Sequence, residues 1–403
     1  TGFILMLAII IIALLFGCCG IGTIADNTIY GHPTLPPNPY ADLIGDQSIN
    51  LSQEKEVIRQ AMEDYKFFVN RDGANKRGSL LCCTFVKASL SPFPVLYSNI
   101  VTANDKCDWA IAVYDADNEF HVQKICETII KPMALKSSSI VYCGQSELSY
   151  MNRTTTVRVK IGPHTYGSVT LNSTLPKSVQ YSQFLPHVRH YERVFLLDED
   201  LSVAGLNFTS LLHIWTCAFS PLPPPILVQP LIAESTQLFD YVNKNSWQYG
   251  GRQDIVASSV GLVEQQAPLI EARFFEWFVR RVLPLTRSVA LKMGVDQGLD
   301  KTWCSAAKVY GKRVLNHSRE FAPCALITAE AVHHLNTQSM REKRANLQAF
   351  KEKAKVVLSR YKDLFPNWVL TESRYYPDPM SLDYAHRYRT VSAVPSDCRS
   401  HPR

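Results

Sequence analysis

Three consecutive acidic residues, Asp198-Glu199-Asp200, directly follow the apolar run at residues 194–197. Such a run is typical of a strand buried in a parallel sheet, and ligands of open α/β sheets bind outside the carboxyl ends of the strands. Carboxylates at that edge can hold Mg²⁺ or Mn²⁺, which completes its ligand shell with water and substrate phosphates. The cluster therefore indicates metal-assisted chemistry on a phosphorylated substrate, with a solvated turn as the alternative.

Motifs for other common chemistries are absent from the sequence. There is no GxxxxGK phosphate loop, no GxGxxG dinucleotide fingerprint, no GxSxG nucleophile elbow and no HExxH zinc motif. These absences count against an NTPase, a dehydrogenase, a serine hydrolase and a zinc protease. Metal-assisted transfer from a diphosphate donor remains.

The elements that would position these acids alternate between strand and helix patterns. Apolar runs predict strands at residues 79–88, 107–117, 138–143, 193–200, 226–232 and 261–270. Helical spacing predicts helices at residues 52–68, 177–191 and 271–285. This alternation predicts an α/β domain with a mostly parallel sheet, flanked by helices and joined by right-handed crossovers.

Composition is that of a folded protein, with 46% hydrophobic and 19% charged residues among 403. The net charge of +6 is spread along the chain without a dense basic patch. The sequence therefore predicts no nucleic-acid partner.

The first 25 residues carry no charged side chain. That run is long enough to cross a bilayer, which favours a transmembrane signal anchor at residues 1–25 over a cleaved signal peptide. Residues 26–52, rich in Pro, Gly and Asn, predict an irregular stem. One large domain at residues 53–390 and a tail at 391–403 complete the predicted organisation.

Two further patterns place the body in an oxidising lumen. N-glycosylation sequons begin at Asn50, Asn152, Asn172, Asn207 and Asn316. Nine cysteines lie beyond the predicted anchor, without zinc-binding spacing, so some are expected to form disulfides. Because nine is odd, at least one stays free or bonds another chain.

Four segments together resemble a known family. The Tyr191–Val203 segment, YERVFLLDEDLSV, and then Val263-Glu264-Gln265-Gln266-Ala267-Pro268 resemble the signature of a large plant and algal family of glycosyltransferase-like proteins of unknown function. An aromatic helix before Gly298-Leu299-Asp300, and Val332-His333 near the end, follow in that family's order. Its members, often labelled lysine-ketoglutarate reductase trans-splicing related, look like type II membrane proteins with a GT-A-like (Rossmann-like) domain.

The resemblance implies a metal site and a nucleotide-sugar site. Asp198, Asp200 and His333 are the implied ligands of Mn²⁺ or Mg²⁺, and His334 is the alternative to His333. Glu199 is expected to turn away from the metal. A surface or core histidine is the alternative for His333.

The nucleotide-sugar site is expected to involve Lys87 and Asp115, which follow the first two predicted strands, together with Glu199. A solvated loop position is the alternative for Lys87 and Asp115. Asp300 and Glu264 are the implied catalytic carboxylates, because an inverting transfer needs a base for the acceptor hydroxyl. Asp300 has helix capping as its alternative role, and Glu264, in an apolar segment, must reach the cleft or be paired. A retaining mechanism would not need this base.

Together these features predict a membrane-anchored, metal-dependent glycosyltransferase of the secretory pathway. Its expected partners are a nucleotide-sugar donor, a glycan or glycoprotein acceptor and the membrane. The expected location is the Golgi or endoplasmic reticulum membrane, single-pass type II, with the catalytic domain in the lumen. The alternatives are a glycoside hydrolase with a carboxylate pair and a non-catalytic binding protein of the same fold.

Overall fold

The computed structural model describes residues 78–116, 118–134, 139–146, 155–160, 166–171, 176–233, 255–293, 299–300, 302–318, 320–335, 355–361, 390–396 and 398, with Arg59 and Glu63. Within these ranges, no helix has the length and apolar character needed to cross a membrane. The predicted anchor and stem lie outside the described residues. So does the predicted helix at residues 52–68, apart from Arg59 and Glu63, which are helical.

The strands are, in chain order, β1 (Gly78–Lys87), β2 (Asp108–Tyr114), β3 (Ile140–Gln145), β4 (Thr155–Lys160), β5 (Tyr166–Leu171), β6 (Tyr191–Leu197), β7 (Leu201–Ser202), β8 (Leu227–Ala233), β9 (Ala257–Ser259), β10 (Leu269–Glu271), β11 (Cys324–His334) and β12 (Thr390–Val391). The α-helices are α1 (Phe93–Ala103), α2 (Glu119–Ile125), α3 (Lys177–Gln180), α4 (Leu185–Val188), α5 (Phe208–Cys217), α6 (Ala272–Trp277), α7 (Pro284–Met293) and α8 (Trp303–Arg313). Residues 355–361 are also helical.

A 10-stranded sheet forms the centre of the fold, in the order β12-β9-β11-β8-β10-β6-β1-β2-β3, with β7 paired to β11. Strands β4 and β5 form a separate antiparallel pair. The run from β6 to β3 is parallel throughout, and β8 pairs with β11 in parallel. Strands β7, β9 and β10 run against their neighbours, so the predicted mostly parallel sheet is in fact mixed.

The strand order creates a topological switch point between β1 and β6. From β1 the chain moves outward through β2 to β3, and then returns to place β6 on the opposite side of β1. In α/β proteins the connections diverge at such a point, and ligands bind there at the carboxyl ends of the strands. The acidic cluster follows β6 at this edge.

Two hydrophobic cores lie on the two faces of the sheet, because successive side chains of a strand point to opposite faces. On β1, Leu81 and Cys83 belong to one core, with α4, α6 and α8. Leu80 and Cys82 belong to the other, with α1, α2 and α5. Because β1, β2 and β6 are buried on both faces, their sequences form largely continuous apolar runs.

The helix predicted at residues 177–191 is broken into α3, a 3₁₀ turn at Tyr181–Phe184, and α4. Pro186 lies in the first turn of α4, where its missing N–H is tolerated, whereas inside a longer helix it would remove a backbone hydrogen bond. The helix predicted at residues 271–285 is likewise divided into α6, a π-helical turn at Phe278–Val282, and α7, which begins at Pro284.

The strand predicted at residues 261–270 is wrong over most of its length. Only β10, three residues long, pairs in the sheet, while residues 261–268 are irregular. Because β10 is antiparallel to β6, with Leu269 opposite Phe195, the residues before β10 continue toward the carboxyl end of β6, where the N–H of Asp198 donates to the carbonyl of Gln266. Residues 261–268 therefore cross the carboxyl edge of the sheet beside the acidic cluster.

Disulfides join Cys82 to Cys107, Cys126 to Cys143, Cys217 to Cys398 and Cys304 to Cys324. Cys83 is the remaining cysteine of the nine and is buried as a free thiol. Strand β12 and Cys398 attach the end of the chain to the domain, on both sides of the boundary predicted at residue 390.

Candidate active site

Glu199 bridges the carboxyl ends of three parallel strands. Its Oε2 accepts a hydrogen bond from the backbone N–H of Lys87, at the end of β1, at 2.7 Å. Its Oε1 accepts one from the hydroxyl of Tyr114, at the end of β2, at 2.5 Å. Burial raises the pKa of Glu199, and these two donors oppose the rise. The carboxylate is thus engaged in holding β1, β2 and β6 together.

Tyr114 is a positioning residue that the sequence did not single out. Burial, and then the charge of Glu199, raise its pKa far above the ordinary value, so its hydroxyl remains a donor. An aromatic residue ending a buried strand gives no sequence signal for such a contact. The contact follows from the pairing of β1 with β2, which places Tyr114 opposite Lys87 at the ends of the two strands.

We expect Tyr114→Phe to lower the free energy of unfolding by about 1.5–3 kcal/mol, since a hydrogen bond to a partly buried carboxylate is lost. The loss should raise the pKa of Glu199 further. Chemical denaturation measures the first effect. Tyr97→Phe, on the exposed side of α1, is the matched control and should leave stability within 0.5 kcal/mol, roughly the usual range for surface changes. Equal effects of the two substitutions would contradict this role for Tyr114.

Asp198 and Asp200 lie on the turn that follows β6. The backbone N–H of Asp198 donates to the carbonyl of Gln266 at 3.1 Å, and its own carbonyl accepts from Leu201. The Asp198 carboxylate forms an ion pair with the ammonium of Lys177, the first residue of α3. Burial raises the pKa of Asp198, and Lys177 opposes that rise.

The histidine beside this turn is His334 rather than the predicted His333. Its Nε2 lies 3.6 Å from Oδ2 of Asp200, and the carbonyl of Asp200 accepts a hydrogen bond from the N–H of Leu335 at 2.9 Å. Pairing of β7 with β11 sets this register, with His333 opposite Ser202. Neighbouring residues of a strand face opposite ways, so His333 is directed away from Asp200.

Glu264 is buried in the irregular segment before β10. Its backbone N–H donates to Oε1 of Gln229 on β8 at 2.8 Å. Trp303 Nε1 donates to the carbonyl of the preceding Val263 at 2.7 Å and anchors the segment against α8. Burial, then the negative charges of Asp300 and Asp198, raise the pKa of Glu264 to about 8. Asp198 and Asp300 therefore both lie near enough to Glu264 for their charges to raise its pKa.

Asp300 precedes α8 but does not cap it. Helix α8 begins at Trp303 with Thr302 in the N-cap position, and the carbonyl of Leu299 accepts the first hydrogen bonds of the turn. Asp300 is therefore not the N-cap residue of α8. Its charge acts on Glu264 instead.

Lys87 and Asp115, predicted at the nucleotide, form an ion pair at 3.1 Å across the ends of β1 and β2. Asp115 adopts φ of +59°, a conformation that aspartate tolerates better than most residues and that ends β2 abruptly. Both side chains are partly exposed at the switch point.

The chemistry of the donors near Asp200 suits Mg²⁺ or Mn²⁺. In the part of the chain that the structure describes, no three His, Cys, Asp or Glu side chains form a preassembled metal centre. However, these cations need only one or two carboxylates when substrate phosphates supply other ligands. Asp198 and Asp200 share one turn, and the imidazole of His334 stands beside Asp200.

Two of the predicted glycosylation sites fall within the described residues, and both are exposed. Asn207 caps α5, its Oδ1 accepting a hydrogen bond from the N–H of Ser210 at 3.0 Å. Asn316 adopts φ of +55° after α8. Asn50, Asn152 and Asn172 lie outside the described residues.

No protein-family model matches the chain, and no curated protein matches it in sequence. Among solved structures, the chain is similar to the glycosyltransferase GlyE of Streptococcus pneumoniae TIGR4, once in its apo form and once in a second crystal structure. Identity is 12% in both cases, with TM-scores of 0.30 and 0.28. The alignments cover 75% and 76% of this chain, and 66% of each GlyE chain, just under two thirds of its length. We therefore base the functional proposal on the residues of the site.

Proposed function

We propose that the protein is a metal-dependent glycosyltransferase that moves a sugar from a nucleotide-sugar to a glycan or protein acceptor. One observation carries the proposal. At the topological switch point, Asp198 and Asp200 follow β6, and the buried Glu264 lies close enough to feel the charge of Asp198. The candidate metal ligands and the candidate base thus lie near one another.

Asp198 and Asp200 are the residues that would hold Mn²⁺ or Mg²⁺, with His334 beside Asp200 as the further donor. When bound, the cation neutralises the charge that develops on the leaving diphosphate. Glu199 keeps the turn in place through its bridge to β1 and β2. Lys87 and Asp115, at the ends of those strands, are placed to meet the nucleotide.

Glu264 is the proposed base in an inverting transfer. It takes the proton of the acceptor hydroxyl as the bond to the donor sugar breaks. A buried carboxylate near two other acids is a stronger base than one in water, because its ionised form is destabilised. Asp300 is placed to tune Glu264 and is the second candidate for the same role.

The disulfides support a location in an oxidising compartment. We propose that residues 1–25 anchor the chain in the Golgi or endoplasmic reticulum membrane, as a single-pass type II protein with its domain in the lumen.

The test is the thermal stability of the protein with a panel of nucleoside diphosphates, with and without Mn²⁺. A ligand that binds the folded state raises the apparent stability, so one nucleotide should raise Tm only when Mn²⁺ is present. A glycoside hydrolase would show no such response. Absence of stabilisation by every nucleotide would contradict the proposal.

A further inference from the structure

Lys177 occupies a position that the proposed mechanism does not use. It begins α3, and its ammonium pairs with Oδ1 of Asp198. The lysine side chain is 41% exposed, whereas that of Asp198 is 18% exposed. The ion pair therefore has one mostly buried member, Asp198, and one partly exposed member, Lys177.

The two candidate metal-binding carboxylates have different neighbours, which are His334 beside Asp200 and Lys177 beside Asp198. Asp200 faces His334 at 3.6 Å, and neutral imidazole can itself be a metal ligand. Asp198 faces an ammonium, which has three donors and no lone pair. An ammonium on Asp198 therefore opposes any cation that approaches the same carboxylate, both by repulsion and by occupying an oxygen.

We propose that Lys177 is the resident counter-ion of Asp198, which it releases to a divalent cation in order to bind the donor's diphosphate. This inference rests on the proposed function, whose metal and nucleotide it takes as ligands. Lysine suits such an exchange because its ammonium is a compact point charge on a flexible stem.

A coupling between the two ligands follows. Without a nucleotide, Lys177 remains near Asp198 and weakens cation binding. With a diphosphate present, Lys177 gains a new anionic partner, and its departure from Asp198 costs less. Cation and nucleotide should therefore each increase the affinity of the site for the other by the same factor. The exchange of Lys177 between Asp198 and the diphosphate accounts for part of this increase in affinity.

The experiment uses isothermal titration of the full chain with Mn²⁺ alone, and then with the selected nucleoside diphosphate at saturating Mn²⁺. We expect Lys177→Gln to bind Mn²⁺ alone about fivefold more tightly, and the nucleotide about fivefold more weakly, the lower end of ordinary coupling factors. Lys177→Arg should bind Mn²⁺ alone more weakly than the wild type, because a guanidinium can hold a carboxylate through two hydrogen bonds.

The matched control is Lys131→Gln. Lys131 also pairs with a carboxylate, that of Glu127 at 2.5 Å, but on an exposed helical surface. The Lys131→Gln substitution should change the affinity for neither Mn²⁺ nor the nucleotide. Unfolding curves establish that each variant folds, and the opposite effects of Gln and Arg at position 177 separate ligand competition from a structural role.

The outcomes separate this inference from the function on which it rests. If the wild type binds Mn²⁺ and nucleotide but Lys177→Gln binds Mn²⁺ no more tightly, the counter-ion role is wrong and the proposed function stands. If the wild type binds no nucleotide, the proposed function fails. Tighter Mn²⁺ binding by Lys177→Gln would in that case still support the counter-ion role, and unchanged binding would overturn both.

Discussion

Replacement of Asp200 by asparagine should reduce sugar transfer by roughly 100-fold or more, the size of loss expected when one preorganised electrostatic group is removed. The amide keeps the shape of the side chain but removes the negative charge. The backbone contact from Leu335 to the carbonyl of residue 200 is independent of the side chain and should survive. The variant should therefore fold, yet lose Mn²⁺-dependent stabilisation by the nucleotide.

Initial rates with the donor identified by thermal stability measure the first effect, and Tm with Mn²⁺ and nucleotide measures the second. Asp105→Asn is the control, because Asp105 is an exposed acid paired with Lys106 away from the site. A variant at position 200 that retains both activity and nucleotide response would exclude Asp200 from the metal site.

Replacement of Glu264 by glutamine should produce a protein that is inactive but more stable at alkaline pH. The folded-state pKa of Glu264 is about 8, above its ordinary value of 4.5. Between these values the folded protein retains a proton that the unfolded chain has lost. The stability of the wild type therefore falls as pH rises through this window, by up to about 1.4 kcal/mol per pH unit.

Glutamine carries no ionisable proton, so Glu264→Gln lacks that decline, and its advantage over the wild type should grow from pH 4.5 to about 8. Urea unfolding at several pH values measures the difference. The wild-type kcat/KM should rise as pH increases through about 8, because the base must first lose its proton. A variant as active as the wild type would exclude Glu264 as the base.

Several strands could be predicted closely from the sequence. Strands β1, β2 and β6 lie near the predicted runs, because each is buried on both faces and ends at or just before a polar residue. The location of residues 198–200 at the carboxyl edge of the sheet could be predicted from the same pattern. Local hydrophobicity determines such strands, so a single sequence contains most of the signal.

Strand β10 and its preceding segment could not be predicted in this way. Leu262, Val263 and Ala267 are buried in this segment, and the carbonyl of Val263 is bonded to Trp303 of α8. Buried apolar side chains give the same sequence pattern whether or not the backbone pairs in a sheet. The antiparallel direction of β10 also has no local signal in the sequence. It is, however, what brings Glu264 to the carboxyl edge.

The contacts of the site residues could not be predicted from the sequence for a similar reason. Lys177 and Asp198 are distant in sequence, and their contact depends on how α3 packs against the end of β6. The choice between His333 and His334 depends on the register of β7 with β11, which spacing cannot reveal.

The neighbouring cysteines of β1 have a consequence for how the chain matures. Cys82 bonds to Cys107, while Cys83 faces the opposite core, where burial raises the pKa of its thiol and keeps it unreactive. A one-residue slip of a strand exchanges its two faces. Oxidation before β1 has aligned would thus offer Cys107 the wrong sulfur and trap a misregistered sheet. In the finished fold, the sheet itself stands between the free thiol and the Cys82–Cys107 disulfide, whose two sulfurs belong to the opposite core.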